Sequence, residues 1–79
     1  MTINELQNYK HMKITLNNRQ EELKYIDSIT VQQLIDKMNF TFKFLVTKVN
    51  GELVKKEERN LVFVQEGDDV AIIHLISGG

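Results

Sequence analysis

From Met12 the chain alternates, with Met12, Ile14 and Leu16 on one side and Lys13, Thr15 and Asn17 on the other. A period of two is the signature of a half-buried strand. Asn17-Asn18 follows, and Asn accepts the left-handed backbone that a tight hairpin demands. A second, more polar strand over residues 20–26 would return with Leu23 and Tyr25 inward. Asp27-Ser28 breaks the alternation, and the period then changes. Val31, Leu34, Ile35 and Met38 fall at i, i+3, i+4 and i+7, one apolar stripe of a helix. Thr30 and Gln33 have capping-box spacing at its start, and Asn39 is its expected stop.

Residues 42–49 are rich in aromatic and β-branched side chains and predict a third strand, with Phe42 and Phe44 as core and sheet-face packing. Asn50-Gly51 is a strong hairpin signal, and Glu52-Leu53-Val54 its short return. The mixed-charge stretch Lys55–Asn60 reads as solvated surface, without enough net charge in Lys55, Lys56 and Arg59 to steer an acidic partner. Leu61–Val64 is a brief apolar element expected to cover an edge of the sheet, and Glu66-Gly67-Asp68-Asp69 is a turn. Residues 70–76 are apolar at nearly every position, which predicts a central strand covered on both faces.

The resulting order is ββαββ with a possible extra strand, an α+β arrangement. Connection rules allow the first and last strands to pair in parallel across the helix. A single helix covers one face of such a sheet, so part of the other face is left as a partner-binding surface. The last strand then leaves from the middle of the sheet. Residues 1–11 are polar and read as an extension to a domain over 12–79, and Met12 could itself serve as an initiator.

Composition narrows the function by exclusion. The 79 residues form one domain near the lower size limit for a self-sufficient core. A formal net charge of −1 without a basic block argues against nucleic acid or an anionic membrane as partner. The absence of Cys excludes disulfides, thiolate metal sites and a cysteine nucleophile. Neither a signal peptide nor an apolar run long enough for a membrane span is visible, so the expected location is the cytoplasm.

Candidate chemistry concentrates at Ser77-Gly78-Gly79, where two of the four glycines stand together. Glycine has no Cβ, so such a tether can enter a narrow channel and leaves its terminal carboxylate unhindered. His74, on an apolar strand with only His11 elsewhere, reads as structural or interface packing and not as a ligand. Glu66, Asp68 and Asp69 read as turn formers, and no metal or other bound cofactor is expected.

The element order, the "VNGELV" hairpin at 49–54 and the "EGDDVAIIHLISGG" ending at 66–79 together resemble the ubiquitin-like β-grasp sulfur carriers. The chain is most similar to the thiamine-biosynthesis sulfur carrier family, ThiS, from Met12 to Gly79. That resemblance implies a mixed four- to five-stranded sheet packed on one main helix. It implies a carrier and not an enzyme, with sulfur attached at Gly79 as a thiocarboxylate and with Ser77 and Gly78 as the tail that enters partner channels. The implied partners are a ubiquitin-activator-like adenylating enzyme that uses Mg-ATP, a sulfur donor such as a cysteine desulfurase, and thiazole synthase. Other thiocarboxylate carriers, for molybdopterin synthase or tRNA thiolation, share these features, and a non-covalent β-grasp binding module is the alternative from another class.

Overall fold

The computed structural model describes residues 11–24 and 26–76. Of the expected extension over residues 1–11 only His11 is described; residues 1–10, the inward Tyr25 and the tail residues 77–79 lie outside the described residues.

Strands β1 (Met12–Leu16) and β2 (Arg19–Leu23) pair antiparallel from Met12↔Leu23 to Leu16↔Arg19. Asn17 and Asn18 close the hairpin with φ of 51° and 66°. Positive φ at both loop residues matches the right-handed twist of the strands, and Asn tolerates it. A short β3 (Ile29–Thr30) leads into α1 (Val31–Lys37). The capping box forms as its spacing predicts. Thr30 Oγ1 accepts from the Gln33 N–H at 3.1 Å, and Gln33 Oε1 accepts from the Thr30 N–H at 2.9 Å. Asn39, at φ 60°, ends the helix, and the Phe40 N–H returns to the Ile35 carbonyl at 3.0 Å.

Strand β4 (Leu45–Val49) turns through Asn50-Gly51 into β5 (Glu52–Val54), again with both loop residues at positive φ. A 3₁₀ turn (Lys56–Glu58), β6 (Phe63–Val64) and β7 (Asp69–His74) complete the chain. The main sheet runs β2-β1-β7-β4-β5, with β7 at its centre, parallel to β1 and antiparallel to β4. Helix α1 buries Val31, Leu34 and Ile35 in a core that also contains Met12, Ile14, Leu16, Leu23, Val54, Val70 and Ile72.

Four expectations need correction. The third strand begins at Leu45, three residues later than expected, and Phe42 and Phe44 are 47% and 56% exposed. Strand β6 covers no edge of the main sheet; it pairs antiparallel with β3, Ile29↔Val64 and Thr30↔Phe63, as a separate two-stranded ribbon. Strand β7 is covered on one face only. Val70 and Ile72 are buried, but Ile73 is 46% exposed, because a seven-residue helix about 10 Å long shields only one side. Arg59 departs from the solvated reading of its neighbourhood. Its Nε donates to Thr47 Oγ1 at 3.2 Å and its Nη2 to the Leu45 carbonyl at 2.6 Å. Thr47, fully buried, donates a hydrogen bond from its own hydroxyl to the Val54 carbonyl at 2.7 Å. The Arg59 carbonyl accepts from the Gln32 N–H at 2.9 Å, so one residue joins β4 to the first turn of α1.

Candidate functional site: the exit of the central strand

The direction in which each backbone group of β7 points decides what this end of the sheet can do. Residues directly opposite in β4 and β7 include Leu45↔His74, Val46↔Ile73 and Thr47↔Ile72. The Leu75 N–H donates to the Phe44 carbonyl at 3.0 Å, and the Asn50 N–H to the Asp69 carbonyl at 2.7 Å. Odd-numbered residues of β7 therefore bond toward β4, and Val70, Ile72 and His74 turn their groups toward β1. On that side β1 supplies the Asn17 N–H, which reaches the Val70 carbonyl at 2.9 Å. Beyond Asn17 the hairpin carries the backbone away. The Asn17 side chain takes over the next rung: its Oδ1 accepts from the Ile72 N–H at 2.8 Å and its Nδ2 donates to the Ile72 carbonyl at 3.1 Å. A carboxamide here imitates one peptide unit.

The face away from α1 carries Ala71, Ile73 and Leu75 of the exiting strand beside Val46 and Phe44 of its neighbour, with Lys48 opposite Ala71. Ile73, Leu75 and Phe44 are 46%, 51% and 56% exposed, which makes a contiguous apolar surface at the base of the tail. A shallow groove of about 480 Å³ adjoins it at Ile73 and runs toward the start of β7, lined in part by Asn17, Lys48, Asp69 and Ala71. Lys43 Nζ stands 5.4 Å from the Phe44 ring centroid, a cation over an aromatic face. On the helix side of the strand, the exposed His74 ring stacks on Phe42 at 3.9 Å with 15° between the planes. His74 is thus packing, as expected.

The acidic turn also behaves as its sequence suggested. Asp68 accepts from the Gln65 N–H at 2.8 Å and from Asn50 Nδ2 at 3.0 Å, and the Asp69 N–H reaches Asn50 Oδ1 at 2.9 Å. Glu66 accepts from the Lys13 N–H at 2.8 Å. Among the described residues, no three His, Asp or Glu side chains form a group able to hold a metal ion. No helix among them is long and apolar enough to cross a membrane. At the opposite end of β1, the His11–Glu22 hydrogen bond of 2.7 Å holds the Glu22 carboxyl below its ordinary value.

The sequence-designated site residues Ser77, Gly78 and Gly79 lie outside the described residues. The described chain leads to them along β7 and ends at Ile76, 80% exposed. Sequence reasoning did not single out Asn17 for this region. The only hint was a hairpin asparagine at the last position of an alternating strand.

Comparison with known proteins accounts for this arrangement. Two solved structures of a thiamine biosynthesis protein (ThiS) from Geobacter metallireducens share the fold. The crystal structure superposes with a TM-score of 0.78 at 23% identity, covering 86% of this chain and all of that one. The solution structure gives 0.73 at 23% identity, covering 86% of this chain and 88% of the other. The sheet order and single helix are those of the ubiquitin-like β-grasp. A sequence model of the ThiS family matches residues 9–79, from the approach to β1 through the final glycine. The chain therefore belongs to the ThiS family, the small sulfur carriers of thiamine biosynthesis.

Proposed function

We propose that this protein carries sulfur on the α-carboxyl group of Gly79 and delivers it for thiazole formation in the synthesis of thiamine. The observation that carries the reading is the family match, which extends over residues 9–79 and so includes Ser77-Gly78-Gly79. It is supported by a central strand that leads straight to those residues beside an exposed apolar face. A carboxylate near neutral pH is a poor acyl donor, because its negative charge repels nucleophiles and oxide is a poor leaving group. A ubiquitin-activator-like enzyme with Mg-ATP overcomes both obstacles. One carboxylate oxygen attacks the α-phosphorus, pyrophosphate departs, and an acyl-adenylate remains. The terminal sulfur of a persulfide on a donor such as a cysteine desulfurase then attacks the acyl carbon, displaces AMP and leaves an acyl disulfide joined to the donor. A thiol attacks the donor-side sulfur, the S–S bond breaks, a new disulfide forms between thiol and donor, and the thiocarboxylate is released on Gly79. Thiazole synthase is the acceptor.

In this scheme the chain is a substrate of other enzymes, working in the cytoplasm where ATP is available. Gly78 and Ser77 keep the tail narrow, since neither side chain is larger than a hydroxymethyl group. The apolar outer face gives the partners something to hold at the root of the tail.

The test is intact-mass spectrometry after incubation with the cognate adenylating enzyme, Mg-ATP and a sulfur donor. The protein should gain the mass difference between one sulfur and one oxygen, localised to Gly79 by fragmentation. An unchanged mass, while an authentic ThiS protein reacts in parallel, refutes the proposal. So does a polypeptide that, isolated from its own cell, extends past Gly79.

A further inference from the structure

The alternation of backbone directions along β7 has a specific end point. Val70 is bonded by the Asn17 backbone and Ile72 by the Asn17 side chain, both on the β1 side of the strand. The next residue to face that side is His74, and β1 has already turned away. Among the described residues, the His74 N–H and carbonyl face no strand, although Leu75 still bonds to Phe44 and keeps the segment extended. Exposed edges of this kind are ordinarily blunted by Pro, by Lys or by a covering loop. Here residues 73–76 read Ile-His-Leu-Ile, and all four are exposed. The edge is short, apolar and already shaped as a strand.

We propose that the enzyme taking up the tail adds a strand to this edge, pairing its own backbone with His74 and continuing along Ile76. The inference rests on the carrier reading above and names the contact by which that enzyme recognises the base of the tail. Continuity selects the occupant: residues 77–79 follow directly on Ile76 in the sequence, so a protein that binds them holds the segment next to this edge. Pairing here costs little ordering, because Leu75 is already held in β geometry. Main-chain bonds supply affinity, and alternate side chains supply selectivity. The incoming strand has to be apolar where it lies beside Ile73 and Leu75. Asn17 fixes the register, since its carboxamide fills the preceding rung and admits partners only from His74 onward.

The test follows backbone amide hydrogen exchange of the full chain, alone and with the adenylating enzyme and Mg-ATP. In the free protein the Leu75 amide should exchange slowly and the His74 amide quickly. In the complex the His74 amide should slow by at least about tenfold. A steady-state comparison adds a second readout. His74→Ala removes the ring that stacks on Phe42, whereas His74→Pro also removes the outward N–H. KM for the carrier should therefore be roughly three- to tenfold higher for the Pro variant than for the Ala variant, with kcat alike. A His74 amide that stays fast in a complex that still loads sulfur overturns the strand addition and leaves the carrier reading standing. Absence of both complex and loading overturns the two together. Protection that appears on raising the concentration of the carrier alone, without enzyme, identifies a second copy as the occupant and also overturns the proposal.

Discussion

Replacing Arg59 by alanine should destabilise the fold far more than its place in the run KKEERN suggests. Arg59 is 9% exposed, and its guanidinium donates to the Leu45 carbonyl and to Thr47 Oγ1. Hydrogen bonds from a charged donor contribute about 1.5–3 kcal/mol each. The bond to the Leu45 carbonyl, at 2.6 Å, belongs at the upper end of that range. The bond to Thr47, at 3.2 Å, belongs at the lower end, and Thr47 keeps its own donation to Val54. Water entering the vacated space will recover part of the loss at the Leu45 carbonyl. The net expectation is a loss of about 2–4 kcal/mol, a large fraction of the stability of so small a domain. Urea denaturation followed by far-UV circular dichroism measures the loss directly. Thermal melting should fall by roughly 8–32 °C, given about 4–8 °C per kcal/mol for a domain of this size. Arg59→Lys should fall between wild type and Arg59→Ala, because an ammonium lacks the planar fork that spans both acceptors. Lys56→Ala, at an exposed neighbour, should stay within about 0.5 kcal/mol of wild type. If Arg59→Ala behaves like Lys56→Ala, the buried bridge between β4 and α1 contributes nothing and the reasoning is refuted.

Three further outcomes are expected. Asn50→Ala should be less stable than Asn50→Gly by about 1 kcal/mol in the same urea assay. Both lose the bonds to Asp68 and Asp69, but only alanine is strained at φ 52°; equal stabilities would contradict this. Ile73→Glu, on the exposed outer face, should leave stability within about 0.5 kcal/mol and sharply reduce sulfur loading, so unimpaired loading would remove that face from the partner contact. Glu22→Gln should flatten the acid limb of the stability–pH profile. A carboxyl held below its ordinary value stabilises fully above that value and loses its contribution as pH falls through the lower folded-state value. The effect is small, because Glu22 is exposed, and an unchanged limb would mean that the His11 hydrogen bond does not persist in solution.

Much of the scaffold is legible in the chain because its signals are local. Both hairpins rest on loop residues that accept positive φ, Asn17-Asn18 and Asn50-Gly51. The helix begins where Thr30 and Gln33 satisfy each other and stops at Asn39. Hydrophobic content also located β7 at the centre of the sheet. It could not say that only one face would be covered, since an apolar residue marks what can be buried and not what is. The same ambiguity misplaced Phe42, Phe44 and the β6 ribbon. Arg59 and Asn17 were opaque for another reason. Each acts on backbone groups brought near only by tertiary folding, the Leu45 carbonyl and the Ile72 peptide unit, and no spacing along the chain announces such a meeting. The candidate site was legible as composition in Ser77-Gly78-Gly79, whereas the surface at its root emerged only with the sheet.

The placement of β7 between a parallel and an antiparallel neighbour has a mechanical consequence. Tension applied at Ile76 runs along the strand axis, perpendicular to the hydrogen bonds on both flanks. Those rungs are then sheared together instead of being opened one after another. A pull on the chain at Ile76 would therefore load the rungs on both flanks of β7 at once.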